Sequence, residues 1–345
     1  MKNHAIIPIF IPHKGCNNEC VFCNQRRITA HSDPLKPSDI HKTVEQYMST
    51  LSKMNMSEIE LSFFGGSFTG IPMGEQKAFL AVAQDYKTRG VIQKIHLSTR
   101  PDYIDRPILE NLKAFGVDTI ELGAQSFADH VLAASHRGHD SAAIYHSCRL
   151  IKEYGFNLGI QLMIGLPGDT FEDDIFSAEE TVRIAPSIVR LYPTVIIEDT
   201  GLYDMFRKGT YRPLSSDNAI RRTAAMYRII DGAGINIIRV GLKSSDIIND
   251  KTIDSGTFHP AFRQLVEGLI AREDLEAQLE GLPEGTAVSC ASHSDSFNNM
   301  IGHKASNKKY FSEKFPSLRI KYIADDSVKK GVYSALVQFV QKESQ

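Results

Sequence analysis

No stretch of this 345-residue chain approaches the roughly 20 consecutive apolar residues that a membrane-spanning helix requires. Charge of one sign is missing too. The formal net charge is −2, which removes any global electrostatic reason to expect a nucleic-acid binder. There is no internal repeat and no low-complexity segment. Cysteine is scarce, at five residues, an odd number that fits a reducing compartment better than a disulfide framework. The opening AIIPIFIP is too short and too broken by proline for a signal peptide. It also runs into the charged HKGC rather than a small-residue cleavage site. It reads as a buried strand, and the protein as cytoplasmic, with no membrane partner. What is present, 42% hydrophobic and 23% charged residues, is an ordinary globular composition. The length suits one large α/β domain with an extension, or two domains.

The chain has a rhythm. Short β-rich runs alternate with amphipathic ones: AIIPIFI, SEIELSFFG, IQKIHLST, VDTIELG, FNLGIQLMIG and SIVRLYPTVI are each followed by a helical pattern. Counting the helix expected at 217–233, this makes six strand–helix units. Such alternation argues for a parallel sheet with helical crossovers. The pattern is predicted to span residues 1–240, as an open or closed barrel. After that the rhythm fails, and residues 241–345 read as a small α+β extension containing the strands TAVSCAS and LRIKYIA. In a parallel α/β fold the chemistry sits on the loops at the C-terminal ends of the strands. The unusual residues fall there: the cysteines after the first strand, GGSFTG after the second, STRPD after the third. Gln125 follows the fourth, GLPGD the fifth, and Pro193 closes the sixth.

Three of the five cysteines, Cys16, Cys20 and Cys23, lie within eight residues in CNNECVFC. Crowded thiolates suit a soft metal. A structural zinc site wants four ligands, and His13 and His31 are the candidates to complete one. Cys148, mid-helix, and Cys290, in an apolar strand, read as core thiols. Three cysteines around a four-iron cluster leave one iron open, which is what a reactive cluster needs.

The spacing C-x3-C-x2-C after a first strand, with Phe22 before the third cysteine, resembles the radical S-adenosylmethionine (SAM) superfamily. That resemblance implies a partial (β/α)6 TIM-like barrel, a [4Fe–4S] cluster held by Cys16, Cys20 and Cys23, and SAM on the unique iron. It further implies that Gly65, Gly66 and Ser67 approach the SAM methionine, with Gln125, Arg137 and Gln161 fixing its carboxylate and ribose and Phe22 near the adenine. An external one-electron donor of flavodoxin or ferredoxin type follows from the same chemistry. With no second cysteine cluster, sulfur insertion from an auxiliary cluster is disfavoured. IPIFIPHKGCNNECVFCNQ, ELGAQSF, HRGHD, GLPG and RLYPTVIIEDTGLYDMFRKGTYRPL together resemble the radical-SAM module of the Elongator catalytic subunit. That family modifies the wobble uridine of tRNA. The chain departs from it at Ser98, where relatives carry glutamate. It also lacks the basic N-terminal extension, the acetyltransferase domain and the further zinc-binding cysteines.

Residues 302–330 hold eight Lys/Arg against three Asp/Glu, interleaved with Tyr310, Phe311 and Phe315. They read either as an RNA-contacting surface or as a solvated helix with its aromatics turned to the core. Arg26 and Arg27 extend a positive rim or are ordinary surface charge. The substrate is a tRNA or other RNA, or else a small metabolite. A zinc-stabilised nucleic-acid-binding module is the alternative of a different class.

Overall fold

The computed structural model describes residues 4–11, 15–16, 20–23, 34–54, 56–242 and 257–338. His13, His31, Arg26 and Arg27 lie outside them. Seven parallel strands form one sheet in sequential order: β1 (His4–Ile11), β2 (Glu58–Gly65), β3 (Lys94–Thr99), β4 (Thr119–Gln125), β5 (Asn157–Ile164), β6 (Ile188–Pro193) and β7 (Asn236–Val240). Between them run α1 (Pro37–Leu51), α2 (Met73–Thr88), α3 (Arg106–Ala114), α4 (Asp129–Ala134), α5 (Ser141–Glu153), α6 (Phe171–Ile184), α7 (Gly201–Arg207) and α8 (Ser216–Gly232). The α/β alternation is therefore as the sequence predicts, and β7 adds a seventh strand beyond the six counted. Several helices begin where a side chain satisfies an orphan backbone donor. Asp105 accepts from the Ile108 N–H at 2.8 Å, and Asp140 from the Ala143 N–H at 3.0 Å.

Side-chain parity explains both faces of the sheet. On β2 to β6 the residues Leu61, Phe63, Ile95, Leu97, Ile120, Leu122, Ile160, Leu162, Val189 and Leu191 are all essentially inaccessible to solvent. Most of the alternate positions are polar or aromatic, among them Glu60, Ser62, Phe64, His96, Ser98, Glu121, Gln161, Arg190 and Tyr192. A flat sheet would hold β2 and β6 about 19 Å apart, four steps of about 4.8 Å. Yet the Arg190 guanidinium lies 5.0 Å from the centre of the Phe64 ring. The sheet must curl until its first and later strands face each other, giving a half-barrel with the polar set inside.

The chain divides into two compact units, Met1–Ser215 with Met226–Phe258, and Ser216–Ala225 with His259–Gln345. The second unit carries a three-stranded sheet in the order β10 (Tyr333–Val337), β8 (Ala287–Ser292), β9 (Arg319–Ala324), antiparallel on one side and parallel on the other. Helices α9 (Phe262–Leu279), α10 (Phe297–Ile301) and α11 (Ser306–Lys314) belong to it. Its aromatics are used internally. Phe311 is fully buried, and the Arg272 guanidinium stacks 4.8 Å from the Tyr310 ring centre. Lys314 pairs with Glu276 and Glu280. In 302–330 the aromatic at 311 thus faces the core, and three of the lysines, Lys309, Lys314 and Lys330, pair with carboxylates.

Candidate active site at the strand ends

The described residues of the cysteine segment are held from three sides. Behind it, the Val21 N–H donates to the Ser135 carbonyl at 3.2 Å and the Val21 carbonyl accepts from the Leu202 N–H at 2.6 Å. Within it, the Cys23 N–H donates to the Cys20 carbonyl at 2.9 Å, closing a turn between the second and third cysteines. Below it, Gly15 meets the loop after β2 without side chains between. A Cβ on Gly70 would stand 1.9 Å from the Gly15 carbonyl oxygen, and one on Gly15 would stand 2.3 Å from the Ser67 carbonyl oxygen. Only glycine permits that approach. The loop itself hangs from β1 through a 2.9 Å bond from the Gly66 N–H to the Ile11 carbonyl, with Gly65 at φ 95° and Ser67 buried.

Two guanidiniums, both at least nine-tenths buried, face the thiols. The Arg137 Nη1 donates to the Cys20 Sγ at 3.1 Å, and its Nη2 to the Gly123 carbonyl at 2.5 Å. Its Nε is buried with no hydrogen-bond partner among the described residues. Arg100, in the STRPD loop, points its Nη1 at the Cys16 Sγ (3.9 Å) and the Cys20 Sγ (3.7 Å). Burial alone would pull its pKa down, but the Asp102 carboxylate and the two cysteine sulfurs hold it above the ordinary arginine value. Beside them, burial and the Arg137 charge push His139 down to about 4, so its ring is neutral at pH 7.

Gln125 ends β4 at φ 72°, a left-handed backbone rare for a residue with a side chain, next to a bulge at Gly123. A Cβ on Gly123 would stand 2.8 Å from the Gln125 Nε2. The bulge and the missing side chain together turn the Gln125 amide over the mouth, where its Oε1 accepts from the Gln161 Nε2 at 3.0 Å. Phe22 packs into the seam between two apolar groups, one with Val131, Leu166 and Met163, the other with Ile196, Leu202 and Tyr211. The GLPGD turn is structural support. Its Gly165 N–H bonds the Asp169 carboxylate at 2.7 Å and its carbonyl accepts from the Tyr211 hydroxyl at 2.7 Å.

The predicted set therefore converges: the cysteines, the Gly65–Ser67 loop, Arg137, Gln125 and Gln161 form one connected mouth. Sequence reasoning missed two features. One is Arg100. The other is the barrel floor, where the Glu121 carboxylate lies 2.8 Å from the Arg190 Nε and accepts from the Ser98 hydroxyl at 3.2 Å, and where the His96 Nδ1 bonds Glu60 at 2.9 Å. At Ser98, where a carboxylate was missing from the strand, one reaches over from β4.

A family model described as the radical SAM superfamily matches residues 10–178, and a second, described as the radical SAM C-terminal domain, matches residues 186–272. The chain belongs to the radical SAM superfamily. It is 26% identical over 246 residues to the tRNA uridine(34) acetyltransferase of Methanocaldococcus infernus, covering 61% of this chain and 46% of that protein. It is 27% identical over 196 residues to Elongator complex protein 3 of Mus musculus, covering 51% of this chain and 36% of that one. The chain thus spans less than half the length of either curated relative. Among solved structures, the archaeal Methanocaldococcus infernus Elp3 with an N-terminal deletion superposes with a TM-score of 0.63 at 21% identity, covering 79% of this chain and 64% of that one. The likeness fixes the half-barrel fold.

As a superfamily member the protein is an enzyme whose cofactors are a [4Fe–4S] cluster and SAM, and whose reaction needs an electron donor. The donor set fits that cluster. Thiolates are its ligands, and two buried cations face them where a negatively charged body would lie. Among the described residues no three His, Cys, Asp or Glu side chains are grouped around a single metal ion. A cluster is wider than one ion and needs its thiols spread apart. Burial pushes the thiol of Cys148 up to about 12 and that of Cys290 up to about 11, as expected of core cysteines.

Proposed function

We propose that Cys16, Cys20 and Cys23 hold the [4Fe–4S] cluster and that the surrounding mouth binds SAM. The observation that carries this reading is the pair of buried guanidiniums trained on cysteine sulfur at the C-terminal end of a parallel half-barrel. Bound there and given one electron by the donor, cluster and SAM would supply radical chemistry: SAM cleaved to methionine and a 5′-deoxyadenosyl radical able to take a hydrogen atom from the substrate. The chain's own part is positioning. The Gly65–Ser67 loop brings backbone polar groups to the methionine amine without side chains in the way. Arg137 pairs with the methionine carboxylate, a match for a fork of donors, once the Cys20 sulfur turns to iron. Gln125 and Gln161, already bonded to each other, present their remaining amide groups to the ribose. Phe22 covers the adenine with apolar surface.

The substrate is a tRNA uridine, supported by relatives named for tRNA uridine(34) and by the run of Elongator-like motifs. The electron donor is a flavodoxin or ferredoxin. The location is the cytoplasm, a reading supported by the odd number of cysteines, which suits a reducing compartment. A small metabolite is the second reading, favoured by Phe311 being buried and Lys314 neutralised where RNA contacts were sought. Salt-sensitive retention of tRNA by the purified protein separates the two.

The decisive experiment is anaerobic. Protein reconstituted with iron and sulfide, then given SAM and dithionite, yields 5′-deoxyadenosine, while Cys20→Ala yields none. A fully loaded protein that does not bind SAM overturns the reading.

A further inference from the structure

We infer that Arg100 is a positioning residue that sets the reduction potential of the cluster, held for that task by Asp102. This rests on the assignment of Cys16, Cys20 and Cys23 as the cluster ligands.

A guanidinium has five N–H donors in a rigid fork, and here each has a destination. The Arg100 Nε donates to the Asp102 Oδ1 at 2.9 Å and the Nη2 to the Asp102 Oδ2 at 2.9 Å. The second hydrogen on Nη2 goes to the Arg137 carbonyl, which ties this arginine to the backbone of the other. Tyr103 lies against the same group, its ring centre 5.4 Å from the guanidinium carbon. Only the two hydrogens on Nη1 remain, and the sulfurs of Cys16 and Cys20 stand within reach of that nitrogen. The side chain is 4% exposed, so water does not compete for it or screen its charge.

A residue built only to anchor the loop would not need this. The bidentate carboxylate fixes the plane of the fork, and the plane fixes where the last nitrogen points. That nitrogen carries a permanent positive charge to the edge of the thiolates. One-electron reduction of the cluster adds a negative charge, so a fixed cation beside it stabilises the reduced form more than the oxidised one. Net charge and hydrogen bonds to sulfur are the levers that set such potentials. Arg137 differs in that its Nη1 touches one cysteine and its Nε is left unpaired, so it has capacity for a ligand. Arg100 has none to spare.

The test is a redox titration of the reconstituted holoenzyme without SAM, following the signal of the one-electron-reduced cluster by electron paramagnetic resonance. R100Q lowers the midpoint so that, at a fixed ambient potential, the ratio of reduced to oxidised cluster falls at least tenfold, a shift of about 59 mV for a one-electron couple. R100K keeps a cation without the fork and recovers part of the shift. General loosening of the loop would lower R100K and R100Q alike, so a midpoint for R100K between those of wild type and R100Q is the signature of charge. Loaded R100Q with an unchanged midpoint overturns the inference, as does R100K shifting as far as R100Q. Should R100Q take up no iron, R100K decides, and a midpoint equal to that of the wild type overturns it. A wild-type protein that takes up no iron and sulfide overturns the ligand assignment itself, and this inference with it.

Discussion

Arg190 shows how much a single side chain can depend on the curvature of a sheet. It starts on β6, pairs with Glu121 on β4 and stacks on Phe64 of β2, with only 13% of its side chain exposed. Burial alone would lower its pKa, but Glu121 holds it above the ordinary value, so it stays charged. Removing one partner of a buried pair leaves the other uncompensated. Arg190→Met is therefore expected to cost about 3–5 kcal/mol of unfolding free energy. The double variant Arg190→Met with Glu121→Leu should regain much of that in urea titrations. The neighbouring carboxylate adds a pH dependence. Burial alone would raise Glu60, but the hydrogen bond and charge of His96, with Ser62 and His4, outweigh it and hold the group below its ordinary 4.5. A depressed carboxylate contributes stability that is fully present above pH 4.5 and is lost as pH falls through the folded value. The urea midpoint of the wild type should fall more steeply below pH 4.5 than that of Glu60→Gln. Equal slopes would show that this carboxylate is not coupled to the fold.

At the scale of the element, the cysteine loop is held by its neighbours rather than by itself. Its start depends on Gly70, where any Cβ would collide with the Gly15 carbonyl. Gly70→Ala should leave the circular dichroism of the barrel unchanged but sharply reduce the iron and sulfide taken up on reconstitution. Unchanged uptake would mean that Gly15 does not have to sit where it does. The same elements show what a sequence discloses. The loops were legible because their signals are local: three cysteines within eight residues, two glycines after a strand, a proline-glycine turn. The floor was not, although each strand carried a hint, such as the single charge in IELG or VRLY. A period of two with a polar face normally means solvent. Here that face is turned inward, and only the curl brings β2, β4 and β6 together. Arg100 was hidden for a related reason. STRPD was placed on the correct face, but nothing in its sequence says that Asp102 folds back to aim the arginine two residues before it. The seventh strand was missed because NIIRV is short and follows a helix already assigned to the sixth unit.

For the whole molecule, the question is where the free energy of cofactor binding is felt. Every predicted cofactor contact lies in the first unit, and the β10-β8-β9 sheet belongs to the second. A ligand that binds only the folded form stabilises it by RT ln(1 + [L]/Kd), about 2.7 kcal/mol at a hundredfold excess over Kd. Exchange that requires opening of the liganded unit should then slow by about a hundredfold, since about 1.4 kcal/mol is a factor of ten. Hydrogen exchange on reconstituted protein, with and without saturating SAM, reads this segment by segment. Slowing is expected in the strand-end loops, at the amides of Val21, Gly66, Gly70 and Leu202, and in the strands that carry them. The amides of β8, β9 and β10 should exchange at the same rate in both states. Equal slowing throughout would show that the binding free energy is not confined to the first unit. Slowing absent from the cysteine loop would place SAM somewhere other than the mouth built by Cys20, Arg137 and Gln125.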